Sequence, residues 1–290
     1  MRLSEDLKKR LGKVKLLALD LDGTTLTDDK KIIPEVSNAI EKAKEAGYLI
    51  SILTGRMFAA AAPFANEMNL DIPVVSMNGT LIAESHTGNI LYEKTLDRSC
   101  VRDVLSSIDG APVHKFIYEG ENIRHNVKDP EILKYLKWWA VNIKEVKEFD
   151  IESYGKIYQI LLIGETKILE KIAVNLNGNT KCNITTFGFP SPRYPLHFLE
   201  IKRPGDSKGK GLKFLCEYYK VSRDEVLAVG DYINDYELFD EAGLSIAVAN
   251  AIDGLKERAD IITARTNEEG AIAEVVDMLL NNGSQSVVDA

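Results

Sequence analysis

The run Leu16-Leu17-Ala18-Leu19 is short, continuous and apolar, and it ends in Asp20-Leu21-Asp22-Gly23-Thr24. Such a run reads as a strand buried on both faces, the form strands take in a parallel sheet covered by helices. Acids at its carboxyl end stand where open α/β sheets bind ligands. Far downstream, Val226-Leu227-Ala228-Val229-Gly230 repeats the pattern and is followed by Asp231 and Asp235. Two buried strands that both deliver acids point to a divalent cation and phosphate chemistry.

The surrounding pattern supplies the architecture. Strands are expected from Leu16 to Leu21, Tyr48 to Leu53 and Pro73 to Met77, with helices from Pro34 to Ala46 and Met57 to Asn69. Pro34 near a first turn and Gly47 just past an end mark one of these helices. This alternation predicts an α/β, doubly wound parallel sheet. The pattern then changes. Thr80 to Ala83 and Ile90 to Thr95 flank a hairpin turn. Lys115 to Tyr118, Lys156 to Ile163 and Ile184 to Phe187 read as strands, and Asp129 to Ala140 and Thr166 to Asn175 as helices, an α+β grouping. Alternation resumes with a helix from Ser207 to Tyr219 and runs to a last helix from Ala271 to Leu280. The expectation is a core split between residues 1–83 and 196–290, with an inserted α+β domain over 84–195.

Bulk properties exclude some classes. The 290 residues are 45% hydrophobic and 28% charged, enough for a real core, and a net charge of -8 argues against a nucleic-acid binder. A bound cation can reverse that field locally, so phosphorylated substrates stay open. Cys100, Cys182 and Cys216 have no metal or redox spacing and read as buried or idle thiols. No apolar run approaches the roughly 20 residues of a membrane span and no signal peptide opens the chain, so the cytoplasm is expected.

Asp20 and Asp22, two apart on an extended segment, point the same way. One acid can attack phosphorus, and the other can protonate the leaving oxygen and later activate water. Two acids this close resist ionising together unless a cation is present. Thr54-Gly55-Arg56 follows a strand and offers a hydroxyl and backbone N–H groups to a phosphate, although Thr54 reads more readily as a helix N-cap. Lys208, between Ser207 and Gly209 at a helix start, is a compact charge able to neutralise a phosphoryl group and a carboxylate together. In Gly230-Asp231-Tyr232-Ile233-Asn234-Asp235, one helical turn returns Asp235 beside Asp231, and with the first pair they offer oxygen ligands suited to Mg²⁺. Asn78-Gly79 ends the third strand, where Asn78 either bonds phosphate or makes the turn. Asn250 reads as a helix cap.

These segments, in this order, resemble the haloacid dehalogenase superfamily, and the place of the insert resembles the type IIB cap of its Cof-like sugar-phosphate phosphatases. The resemblance runs from about Lys15 to Leu280. It implies a Mg²⁺-dependent phosphatase of small phosphorylated metabolites on a Rossmann-like core. Asp20 would form an aspartyl-phosphate and Asp22 would be general acid and base. Thr54, Gly55, Arg56, Asn78, Gly79, Lys208 and Asn234 would hold the phosphate. Asp231 and Asp235 would complete the metal site with Asp20 and the backbone carbonyl of Asp22. Thr25 stands where the family commonly has Leu. The cap would choose the substrate, with His114, Tyr118, His125, Arg124, Trp138 and Trp139 as candidates that each also read as ordinary packing. A phosphomutase or a phosphorylatable regulatory domain uses similar acids, and a dedicated Asp22 favours turnover over regulation. Expected partners are a small phosphorylated substrate, neither nucleic acid nor membrane, with the chain monomeric or weakly self-associating.

Overall fold

A computed structural model describes residues 3–179, 185–190 and 197–282. The chain divides into two compact units, one holding the residues up to Tyr92 and from Ser207 onward, the other Glu93–Asp206. The second unit therefore begins at Glu93 rather than 84 and ends at Asp206 rather than 195. The last helix, expected to end at Leu280, runs to Asn282. Cys182, Ile184 and the side chain of Trp138 lie outside the described residues.

The first element is helix α1 (Glu5–Leu11), which the sequence pattern does not signal. The Ser4 hydroxyl accepts from Leu7 N–H at 3.2 Å, capping it, and Leu11 is fully buried. Then come β1 (Leu16–Leu19), α2 (Pro34–Glu45), β2 (Leu49–Ile52), α3 (Phe58–Glu67) and β3 (Val74–Ser76). β4 (Leu81–Ala83) and β5 (Ile90–Glu93) form a three-stranded sheet with β3. That pairing is why the hairpin stays with the first unit.

Within the second unit the chain adds α4 (Arg98–Ser107), β6 (His114–Glu119), β7 (Asn122–His125), α5 (Pro130–Trp139), β8 (Asn142–Glu145), β9 (Ile157–Gly164), α6 (Thr166–Asn179), β10 (Thr185–Pro190) and β11 (His197–Lys202). Its sheet has the order β10-β11-β9-β6-β7-β8. Ile117, Ile160, Leu162, Leu199 and Ile201 share a core with Val101 and Val104 of α4 and Leu169 and Leu176 of α6. The sequence pattern does not signal α4, β7, β8 or β11. In β7 and β8 only Ile123 and Ile143 are strongly apolar, and β11 buries Glu200 and Lys202 beside Leu199 and Ile201. β11 pairs antiparallel with β9, which carries this unit past residue 195. Cys100 is disulfide-bonded rather than idle, because pairing depends on proximity in space and not on spacing along the chain.

The first unit resumes with α7 (Lys208–Tyr219), β12 (Val226–Gly230), α8 (Tyr236–Glu241), β13 (Leu244–Ala247), α9 (Asp253–Lys256), β14 (Ile261–Ile262) and α10 (Ala271–Asn282). Its main sheet has the order β14-β13-β12-β1-β2, and the neighbouring strands pair in parallel. β1 and β12 are buried along their whole length, as unbroken apolar runs require. Helix α2 packs on α10, and α7 on α8. This is the α/β architecture the alternation predicts.

Candidate active site

β1 and β12 lie side by side at the centre, with Leu19 opposite Val229. From β1 the chain goes on to β2 on one side, and from β12 to β13 on the other. The strand order thus reverses between β1 and β12, which opens a crevice at their carboxyl ends. Asp20 and Asp231 leave the two strands at that point, and Asp20 N–H donates to the Val229 carbonyl at 3.0 Å.

Two glycines make the approach possible. Gly23 has φ +81, and a β-carbon there would lie 2.3 Å from Asp231 Oδ2. A β-carbon on Gly230 would lie 2.6 Å from Asp235 Oδ2. The Thr24 hydroxyl donates to Asp231 Oδ1 at 3.3 Å. Asp235 ends a short 3₁₀ turn, Ile233–Asp235, which returns it to Asp231 as the spacing predicts. Its Oδ2 accepts from the N–H groups of Asp231 and Tyr232 at 3.0 and 3.1 Å. Its Oδ1 accepts from Lys208 Nζ at 2.7 Å, and the same ammonium reaches Asp20 Oδ1. Lys208 is the first residue of α7, capped by Ser207, and is 0% exposed.

Burial dominates the electrostatics. It pushes Asp20 up to about 6, with Lys208 opposing and Asp235 adding to the rise. Asp231 is raised well above the usual carboxylate range by burial and then by Asp20 and Asp235. Burial opposes the charge on Lys208, but Asp20 and Asp235 outweigh it and hold the ammonium above its ordinary range. One carboxylate oxygen from each of Asp20, Asp231 and Asp235 lies within 4.8 Å of the others. Three carboxylates against one ammonium leave two negative charges in a water-poor site, a costly arrangement without a counter-ion. Hard oxygen donors with two uncompensated charges fit a divalent cation.

Asp22 does not share this cluster. The strand ends at Leu19, so the extended geometry that would aim both acids alike is lost. Arg56 donates Nε to Asp22 Oδ2 at 2.6 Å and Nη2 to Oδ1 at 2.7 Å. Lys30 Nζ lies 2.6 Å from Oδ1. Burial opposes the Asp22 charge, but these two cations prevail and hold its carboxyl at about 2. Arg56 itself is buried, its guanidinium 4.9 Å from the centre of the Phe64 ring. Arg56 is thus the partner of an acid, where the sequence reading offers it to phosphate. Nothing in the sequence marks Lys30, because Asp28-Asp29-Lys30-Lys31 reads as a solvated loop.

The remaining candidates form a tight shell. Thr54 is not a helix cap: α3 starts at Phe58 with Met57 before it, and the buried Thr54 hydroxyl accepts from Arg56 N–H at 3.2 Å. Gly55 faces Asn78, with room of 3.4 Å between a would-be β-carbon and Asn78 Oδ1. Met77 and Asn78 are both left-handed, at φ 48 and 51. Asn234 Nδ2 donates to Asn78 Oδ1 at 3.0 Å, so two candidate phosphate ligands bond each other. Gly79 lets this turn meet α7, since a β-carbon there would lie 2.2 Å from the Ser207 carbonyl. Asn250 is not a helix cap either, since Ile252 precedes α9. Its Nδ2 donates to the Gly23 carbonyl at 2.7 Å and its Oδ1 accepts from Asn267 N–H at 2.9 Å. Thr25 is buried, and its hydroxyl donates to the Asp20 carbonyl at 2.5 Å, a structural task that Leu could not perform.

In the second unit, Tyr118 and His125 are buried, and His125 Nδ1 accepts from Val127 N–H at 3.2 Å. Burial lowers the pKa of His125. Arg124 pairs with Glu119 at 3.0 Å, and the Trp139 ring meets Phe198 edge-on at 5.4 Å. His114 is half-buried at the start of β6.

Residues 17–276 match the family model of the haloacid dehalogenase-like hydrolases. The chain is 28% identical over 261 residues to the 5-amino-6-(5-phospho-D-ribitylamino)uracil phosphatase YitU of Bacillus subtilis, spanning 89% of this chain and 94% of that protein. It is 27% identical over 281 residues to the pyridoxal phosphate phosphatase YbhA of Escherichia coli, spanning 90% and 97%. Among solved structures it resembles a haloacid dehalogenase-like hydrolase from Bacteroides thetaiotaomicron, with a TM-score of 0.80, 27% identity, and 91% and 98% of the two chains covered. Among the described residues no helix is long and apolar enough to cross a membrane.

Proposed function

The chain belongs to the haloacid dehalogenase-like hydrolases and is a phosphatase of phosphorylated metabolites, and from that premise we propose that it is a Mg²⁺-dependent enzyme of the cytoplasm whose substrates are sugar phosphates. The observation that carries this reading is the cluster of buried Asp20, Asp235 and Lys208 with half-buried Asp231, where two adjacent strands end.

An Asp20 carboxylate oxygen attacks phosphorus while the bond to the leaving oxygen breaks. The electron pair departs with that oxygen, which takes a proton from Asp22. Water then attacks the aspartyl-phosphate and gives a proton back to Asp22. The bond from phosphorus to the Asp20 oxygen breaks, and inorganic phosphate is released. Asp22 is ionised at rest, the form that activates water. An anionic phosphate arriving beside it raises its affinity for the proton needed first. Lys208 neutralises Asp20 and the phosphoryl oxygens in turn, and Thr54, Asn78 and Asn234 orient the phosphoryl group. Asp20, Asp231, Asp235 and the Asp22 carbonyl would hold Mg²⁺, which when bound offsets the charge that develops on the transferring group. The second unit, Glu93–Asp206, selects the leaving group.

The test is phosphate release from a panel of sugar phosphates and other phosphorylated metabolites, with Mg²⁺ or with chelator, for wild type and Asp20→Asn. Release that needs metal and disappears in the variant is expected. Release that survives in chelator, or in Asp20→Asn, would overturn the route.

A further inference from the structure

We propose that Lys30 is a positioning residue for Asp22, fixing which oxygen of that carboxyl exchanges the proton; the inference rests on the acid/base role given to Asp22 above. Lys30 stands among Asp28, Asp29 and Lys31, which are all exposed, yet its own side chain is only 15% exposed. Its ammonium lies 2.6 Å from Asp22 Oδ1.

The backbone is built to deliver it. Lys30 has φ 62, in the left-handed region that residues with a β-carbon seldom enter. The turn that imposes this is closed by Lys30 N–H to the Thr27 carbonyl at 2.9 Å, Thr27 N–H to the Lys31 carbonyl at 3.0 Å and Lys31 N–H to the Thr27 hydroxyl at 3.1 Å. Asn267 Nδ2 anchors the turn's entrance through the Leu26 carbonyl at 2.9 Å, and Asp28 N–H donates to Glu268. A loop with no task beyond linking β1 to α2 has no need of a left-handed lysine. Strain of this kind marks a functional position when the surroundings over-determine it.

Each carboxylate oxygen has two lone pairs to offer. Asp22 Oδ1 receives two donors, Arg56 Nη2 and Lys30 Nζ, whereas Oδ2 receives Arg56 Nε. The second lone pair of Oδ2 is therefore the place for the exchanging proton. Arg56 alone fixes the plane of the carboxylate but treats its two oxygens alike. Lys30 breaks that symmetry. In the first half-reaction the proton leaves Oδ2 for the departing oxygen as the phosphorus–oxygen bond breaks and Asp20 bonds to phosphorus.

The test uses the full chain with Mg²⁺ and compares kcat/KM for two substrates. One is an alkyl sugar phosphate, whose leaving alkoxide needs a proton. The other is p-nitrophenyl phosphate, whose leaving phenolate needs little. Lys30→Asn removes the cation but keeps a side chain that tolerates the left-handed backbone. It is expected to lower kcat/KM on the alkyl phosphate by about tenfold, a part of what general acid catalysis supplies, and to leave the aryl phosphate within about twofold. Lys30→Arg should recover most of the loss. Equal falls on both substrates, or no change on either, would overturn the proposal. Asp22→Asn is run alongside: if it keeps wild-type kcat/KM on the alkyl phosphate, the role of Asp22 itself fails, a different result from a Lys30 variant without leaving-group dependence. Thermal melts establish folding, and Lys30→Gly, which relaxes the backbone, is read in the same assays if Lys30→Asn does not fold.

Discussion

Replacing Lys208 with Met isolates the central electrostatic balance. Methionine keeps an unbranched apolar stem, so packing is largely retained. What is lost is the ammonium that bonds Asp235 Oδ1 at 2.7 Å and also reaches Asp20, in a site where the lysine is 0% exposed. The cluster then holds three carboxylates and no cation. Removing one partner from a buried ion pair costs about 3–5 kcal/mol, because the charge left behind is no longer compensated. A domain of 150–250 residues loses roughly 2–4 °C in Tm per kcal/mol, so a drop near 10 °C is expected. Differential scanning calorimetry of wild type and Lys208→Met in chelator measures it. Two controls follow from the cause. Mg²⁺ should narrow the gap, because a divalent cation supplies the missing charge. Acid should narrow it as well, because protonated carboxyls need no partner. A Tm in chelator within about 2 °C of wild type would refute the view that uncompensated charge governs this site.

Gly23→Ala should lower stability by at least about 1–2 kcal/mol, since φ +81 disfavours a β-carbon and that carbon would lie 2.3 Å from Asp231 Oδ2; metal affinity, read by titration of the folded variant, should fall with it. Gly79→Ala meets backbone rather than a movable side chain, the Ser207 carbonyl at 2.2 Å, so urea unfolding should show a loss at least as large as for Gly23→Ala. Arg10 of α1 donates to both oxygens of Asp260 at 2.7 and 2.8 Å. Burial opposes the Asp260 charge, but Arg10 and Ser245 outweigh it and hold the carboxyl below its ordinary range. A depressed carboxylate stabilises the fold above its unfolded pKa, and that stability is lost as pH falls through the folded value. Arg10→Gln should therefore cost about 1–2 kcal/mol at pH 7 and progressively less as the pH drops below about 4, checked by urea melts across pH.

Some parts of the site are local, and the sequence carries them. A continuous apolar run followed by acids is a buried strand with its chemistry at the carboxyl end, whatever else the chain does. Asp20 and Asp231 were legible for that reason, Lys208 was legible from its place at a helix start, and the return of Asp235 to Asp231 needs only one turn of helix. Asp22 shows the limit. Its spacing from Asp20 predicts a shared direction only while the strand continues, and the strand stops at Leu19. Lys30 carried no signal and Asn250 read only as a helix cap, because an exposed-looking lysine and a loop asparagine gain meaning only from the partner that the fold brings to them. The second unit was harder still. β7, β8 and β11 are held by cross-strand pairing and carry buried or exposed polar residues, so no alternation marks them.

The sequence alone determined the alternation of strands and helices in the parallel-sheet core, the acids at the strand ends and the lysine that opens α7. All of these follow from short-range rules of burial, spacing and capping. Only the tertiary structure decided which acid pairs with which cation: Asp20 and Asp235 with Lys208, Asp22 with Arg56 and Lys30. The reason is that charges interact through space. Residues 34 and 188 positions apart become neighbours only after the sheet has set the register that brings their strands together.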